Sequence, residues 1–191
     1  MKKITFLLST ILLVAFHTTF AQQNDVSIKK QAIKAAIGVG GSAPIDDVET
    51  FSNGFSAQAE YIYQVNSWLD IRPYAGVIFA NTDEKDNEPN EMGFKSDFNA
   101  FMIGGKVRLR APIPWVAPYI EIGAGTSAGE FETITSTINI KENGLLFHIP
   151  ISAGLQLGPK HNIDLGLTYF VHPGAEQVSG AAVIGVSFPL N

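Results

Sequence analysis

The stretch "FHIPISAGLQLGPKHNIDLGLTYFVHPG", Phe147 to Gly174, alternates with a period of two on both sides of a short break. Before the break, Phe147, Ile149, Ile151, Ala153, Leu155 and Leu157 alternate with His148, Pro150, Ser152, Gly154 and Gln156. After "GPKHN", Ile163, Leu165, Leu167, Tyr169 and Val171 alternate with Asp164, Gly166, Thr168, Phe170 and His172. Successive side chains of a strand point to opposite faces. The stretch therefore predicts a hairpin of two long strands, each with one apolar and one mixed polar face. Which of those faces lies inside decides the fold.

The same period recurs along the chain. Strands are expected at roughly 33–41, 54–65, 68–80, 98–110, 117–127, 145–157, 162–172 and 180–190, separated by segments rich in glycine, proline and charge. Most are longer than soluble strands and near the length of a tilted strand crossing a bilayer. The connections alternate. "GSAPIDDVETFSN", "NTDEKDNEPNEMGFKSD", "SAGEFETITSTINIKEN" and "PGAEQVS" are long; "NS", "APIPWVA" and "GPKHN" are short.

Every apolar set lacks charge, for example Leu69, Ile71, Pro73, Ala75, Val77 and Phe79, or Ala182, Ile184, Val186, Phe188 and Leu190. The strand charges fall on the other face: Lys34, Glu60, Asp70, Arg72, Lys106, Arg108, Arg110, Glu121 and Asp164. A soluble lipocalin-like barrel would turn the apolar face inward. Two observations point the other way. With the long loops placed at one end, Phe55, Phe79, Phe101, Phe147 and Tyr169 form one aromatic belt, and Tyr61, Tyr63 and Phe188, with Trp68 and Trp115, form another. Such girdles mark the two interfaces of a lipid-facing surface. The opposite face is rich in small residues and poor in charge, which suits the narrow interior of an eight-stranded barrel. The expected fold is an all-β, eight-stranded antiparallel up-and-down transmembrane β-barrel, with short periplasmic turns and longer extracellular loops.

Composition agrees with that fold. The sequence begins "MKKITFLLSTILLVAFHTTFAQQ", with a basic start, an apolar run and a small-residue exit. This predicts a secretory signal peptide over residues 1–21, cleaved after Ala21, followed by one barrel domain over 22–191. No later run is long enough for a transmembrane helix, so a membrane location requires a closed barrel. There is no cysteine, so stability must come from the core and the backbone lattice rather than disulfides.

The whole expected mature chain resembles the eight-stranded outer-membrane β-barrel family of Gram-negative bacteria, which includes OmpX-, OmpW- and PorT-like proteins. The resemblance rests on the strand layout, on glycine-dotted strands such as "APYIEIGAG" and "ISAGLQLG", and on the last strand "VIGVSFPLN". It implies an outer-membrane location, and a barrel-assembly signal at Gly185, Phe188 and Leu190 read by the assembly machinery. Two features depart from the family pattern: Asn191 follows Leu190 where an aromatic usually ends the chain, and Pro189 removes a ladder donor.

Pairing across the short connections places Arg108 near Glu121 and Glu60 near Arg72. The near-balance of inward charge predicts a lumen network of Glu60, Arg72, Lys106, Arg108, Glu121 and Asp164 that plugs the barrel, because a buried charge needs a partner. His172, Glu176 and Ser179 in "VHPGAEQVSG" raise the question of a hydrolytic set. His172 has inward parity, and Pro173 and Gly174 stand where lipid A deacylases of this fold carry their His-x-Ser step. The expectation is therefore no enzyme. "GVGGSAP" lacks the lysine and helix of a phosphate loop. No metal, cofactor or nucleic-acid signature is present.

Most of the eighteen acidic residues fall in the long connections. Asp83, Glu84, Asp86, Glu88 and Glu91 form the densest group, an expected extracellular loop that divalent cations could bridge to lipopolysaccharide. The function expected is a structural or cell-surface interaction role for a monomer in contact with outer-membrane lipid and lipopolysaccharide. The alternatives are a channel or carrier for a small hydrophobic solute, and a soluble periplasmic lipocalin-like binder.

Overall fold

A computed structural model of the protein describes residues 31–45, 51–82, 95–137 and 139–190. The expected leader and the acidic group Asp83, Glu84, Asp86, Glu88 and Glu91 lie outside these residues. Eight strands are formed: β1 Gln31–Pro44, β2 Ser52–Gln64, β3 Leu69–Asn81, β4 Lys95–Arg110, β5 Val116–Ile134, β6 Asn139–Leu157, β7 Ile163–His172 and β8 Gln177–Leu190. Each pairs antiparallel with its sequence neighbour, and β8 returns to pair with β1, from Gln31↔Leu190 to Pro44↔Gln177. The sheet is a closed barrel with no free edge, so the cysteine-free chain satisfies its ladder around the full circumference.

Alternation sorts the side chains as expected. Ile122, Leu167 and Phe188 are 60%, 53% and 57% exposed, whereas Arg72, Arg108 and Asp164 are 0% exposed. The outer wall is a band of exposed Ile, Leu, Val and aromatic residues, and of the nine strand charges expected inside, eight are buried and Arg110 is half-buried. This is the reverse of a lipocalin, and it is the arrangement that lipid requires.

The strand ends differ from the sequence expectation in one region above all. Most of "SAGEFETITSTINIKEN" is strand, residues 127–134 and 139–143. It carries β5 and β6 onward as a ribbon, with Glu132 opposite Lys141 and Phe131 opposite Glu142. Its Thr and Ile residues favour extended backbone, and the Glu132–Lys141 ion pair, at 3.1 Å, adds a cross-strand contact. β4 likewise begins at Lys95, and β1 runs on to Pro44. The last connection is short: a single 3-10 turn, Pro173–Ala175, leads through Glu176 into β8. The expected alternation of long and short connections therefore holds only in part.

Candidate functional site

The lumen is the candidate site, and it has two layers. The layer nearer the short turns, the end that also holds the termini of β1 and β8, is ionic. Arg108 faces Glu121 directly across the β4–β5 ladder. Its Nε donates to Glu121 Oε1 at 2.6 Å and its Nη1 to Asp164 Oδ2 at 2.6 Å. Arg72 Nη1 donates to Glu60 Oε2 at 2.8 Å and Nη2 to Asp70 Oδ2 at 3.1 Å. Lys106 Nζ donates to Glu60 Oε1 at 2.8 Å and lies 3.0 Å from Glu121 Oε2. Lys34, not included in the expected network, completes the ring by donating to Glu60 Oε1 at 3.2 Å and Asp164 Oδ1 at 3.0 Å.

Thus Glu60, Arg72, Lys106, Arg108, Glu121 and Asp164 are brought together, joined by Lys34 and Asp70. All eight are buried. Four cations and four carboxylates balance. Both oxygens of Glu60, Glu121 and Asp164 contact cations on other strands, whereas Asp70 Oδ2 bonds Arg72 of its own strand and Asp70 Oδ1 has no hydrogen-bond partner among the described residues. Charges held so closely in a low-dielectric interior persist only when paired, and each of the eight has an opposite charge within 3.2 Å.

Two tyrosines finish this layer, and glycine makes room for both. Tyr119 O–H donates to Asp164 Oδ1 at 2.7 Å while the Arg108 guanidinium stacks on its ring, 3.4 Å from the centroid. The tyrosine lies across the paired Gly154 and Gly166, where an added Cβ would collide with its hydroxyl. Tyr74 lies across the paired Gly104 and Gly125 in the same way and bonds His148 Nε2. The glycine dots of these strands therefore mark where a side chain crosses the lumen.

The second layer, toward the long-loop end, is largely apolar, which departs from the expected salt-bridged filling. Ile78, Phe98, Met102, Phe131 and Phe170 are buried together with Tyr74. Phe98 meets Phe131 edge-on, with ring centroids 5.3 Å apart, and lies 4.8 Å from the His172 ring. Between the layers, Ser127 Oγ bridges His148 Nδ1 at 2.7 Å and His172 Nε2 at 3.0 Å. Ala175 of the 3-10 turn folds into the mouth and accepts a bond from Thr133 Oγ1 at 3.2 Å through its carbonyl. Above it Gln177 donates to Ser96 Oγ at 3.0 Å, and Ser96 meets Ser42 at 3.1 Å.

The expected hydrolytic candidates are separated in role. His172 engages Ser127 instead of Ser179, whose buried Oγ has no hydrogen-bond partner among the described residues. Glu176 sits at a left-handed turn position with φ 49°. Ser127, His148 and His172 are each 0% exposed. Gly185 lies in the lumen wall beneath Lys34, while Phe188 and Leu190 point outward beside Ile33 and Gln31.

A closed, all-antiparallel barrel of eight strands with an apolar exterior and buried charges inside defines a class: the fold is that of the eight-stranded outer-membrane β-barrels. Neisserial surface protein A shares it at a TM-score of 0.56 and 15% identity, over 82% of this chain and 95% of that one. Ail, the attachment invasion locus protein of Yersinia pestis, superposes at 0.49 with 17% identity, over 85% and 100% of the two chains. OprG of Pseudomonas aeruginosa does so at 0.48 with 9% identity, over 84% and 97%. No protein-family model matches the sequence, and no curated protein matches it significantly.

Proposed function

We propose that the protein is a non-enzymatic outer-membrane barrel whose lumen is a filled structural plug, and whose role is exerted at the cell surface. One observation carries this reading: two unlike layers, one ionic and one aromatic, occupy the lumen in series. A conducting pore needs a continuous hydrated path, and a small eight-stranded barrel has only enough interior for its own side chains. The balanced ionic layer also lacks the charge bias with which pores select ions. The β5–β6 ribbon supports a surface role. It extends the wall at the long-loop end and carries the exposed Glu130, Lys141, Glu142 and Asn143.

Membrane fractionation together with planar-bilayer recording tests the reading. The protein should need detergent for extraction, migrate as a heat-modifiable band and give no steady conductance. Release by osmotic shock, or a stable ohmic current, would overturn it.

The acidic group Asp83, Glu84, Asp86, Glu88 and Glu91 supplies the proposed contact with lipopolysaccharide through Mg²⁺ or Ca²⁺. Exchanging all five for amides should leave the heat-modifiable barrel unchanged and reduce Mg²⁺-dependent lipopolysaccharide binding at low salt. Binding equal to the parent would reduce this segment to a solvated connection.

A further inference from the structure

Among the described residues, the lumen buries four cations with four carboxylates, and Arg110 at the short-turn mouth is a fifth cation. Lys34, Arg72, Lys106 and Arg108 each make contacts of 3.2 Å or shorter to Glu60, Asp70, Glu121 or Asp164. Arg110 does not. Its Nη2 lies 3.8 Å from Asp70 Oδ1, beyond hydrogen-bond distance, and that carboxylate already binds Arg72. Neutral acceptors hold Arg110 instead: Ser67 O takes a bond from Nε at 3.0 Å, and Gln156 Oε1 one from Nη1 at 3.2 Å. The guanidinium is fixed in place by neutral acceptors, with Asp70 Oδ1, which accepts no hydrogen bond, the nearby carboxylate oxygen at 3.8 Å.

Arg110 opens into a pocket of about 280 Å³ at the short-turn mouth, which Ser67, Pro112, Pro114, Lys160 and His161 also line. None of the lining residues is acidic. The pocket is built by three turns tied to one another. Arg110 N donates to Trp68 O at 2.9 Å, joining the β2–β3 and β4–β5 turns. Gly158 N donates to Trp115 O at 2.9 Å, and His161 Nε2 to Ile113 O at 2.9 Å, joining the β4–β5 and β6–β7 turns. The carbonyl of Ile113 can only accept, so the proton sits on His161 Nε2. Two prolines stiffen the middle turn. Trp68 and Trp115 stand exposed beside the pocket, 49% and 64% accessible. Tryptophan at that position marks the depth of lipid headgroups.

We propose that this pocket binds the phosphate of an anionic glycerophospholipid headgroup in the leaflet at the short-turn end. Arg110 supplies a guanidinium held in place by Ser67 O and Gln156 Oε1, Lys160 a second cation on the exposed turn, and Ser67 an adjacent hydroxyl. The barrel then has polar attachments at both rims, one to the phospholipid leaflet and one at the surface. The inference rests on the transmembrane placement proposed above.

The test uses the whole barrel, folded in a phosphate-free maltoside detergent. Trp68→Phe leaves Trp115 as the single tryptophan reporter. Phosphatidylglycerol should change Trp115 emission saturably, and zwitterionic phosphatidylcholine should do so far more weakly. Lys160→Gln should weaken the phosphatidylglycerol response by about fivefold, the scale expected for one cation at an anionic surface. Arg110→Gln should weaken it at least as much, and Lys141→Gln, at the other end, should have no effect. Lys160 is exposed and carries the test even if Arg110→Gln fails to fold. An equal response to the two lipids, or one indifferent to Lys160→Gln, would overturn the pocket. Saturation by inorganic phosphate at the same concentrations, with displacement of the lipid, would make it a free-phosphate site and overturn the lipid assignment. Failure of the parent to show a heat-modifiable band would instead overturn the transmembrane placement.

Discussion

Arg108 shows how one side chain serves several purposes in a narrow lumen. Its guanidinium bonds Glu121 and Asp164 and stacks on Tyr119, so it joins β4, β5 and β7. Replacing Arg108 alone with methionine leaves the eight-residue ionic layer one negative charge in excess. Replacing Glu121 alone with leucine leaves one positive charge in excess. The double replacement restores neutrality, since Asp164 keeps Lys34 and Lys106 keeps Glu60. Each single variant should therefore cost more stability than the double, with a coupling of about 1 kcal/mol or more in a double-mutant cycle on detergent-folded protein. Additive losses would show that the pair is not in energetic contact. The Arg108–Glu121 and Glu60–Arg72 contacts were legible from parity and from pairing across short turns. The Tyr74–His148–Ser127–His172 chain was not. Parity reveals which residues face inward, but strand tilt decides which of them meet across the barrel, and tilt is not written in a single strand.

The strand is the unit on which lipid acts. β7 and β3 each turn one row outward, including the exposed Leu167 and the half-buried Val77, and bury the other, including Thr168 and Ile78. Leu167→Arg and Val77→Arg place a charge near the middle of the apolar band and should destabilise the membrane-folded state by roughly 2–4 kcal/mol. Thr168→Ser, which keeps the hydroxyl that meets Ser152 at 2.9 Å, should be mild by comparison. Denaturant titration in lipid vesicles measures all three, and equal tolerance of arginine at Leu167 and at an exposed turn residue would sink the lipid-facing assignment. Strand existence and orientation were both readable from period-two alternation. Strand ends were less so. In "SAGEFETITSTINIKEN" the glutamates and serines suggested a loop, yet the β-branched run "TITSTINI" and the inward parity of Phe131 and Thr133 favour the extension of β5 and β6 that is found.

At the scale of the molecule, the two layers of the lumen make separable contributions. Phe98 is fully buried against Phe131 and His172, so Phe98→Ala should cost about 3–5 kcal/mol through lost burial and the cavity left behind. That cavity opens only the layer toward the long loops. Beneath it, Lys34, Arg72, Lys106 and Arg108 remain locked to four carboxylates contributed by β2, β3, β5 and β7. An ion moving through would have to break several charge-assisted bonds at once in a poorly hydrated interior. Phe98→Ala should therefore lower the unfolding midpoint while remaining electrically silent in a planar bilayer. Steady current through this variant would make the aromatic layer the seal and the ionic layer a hydrated vestibule, returning the channel reading to first place.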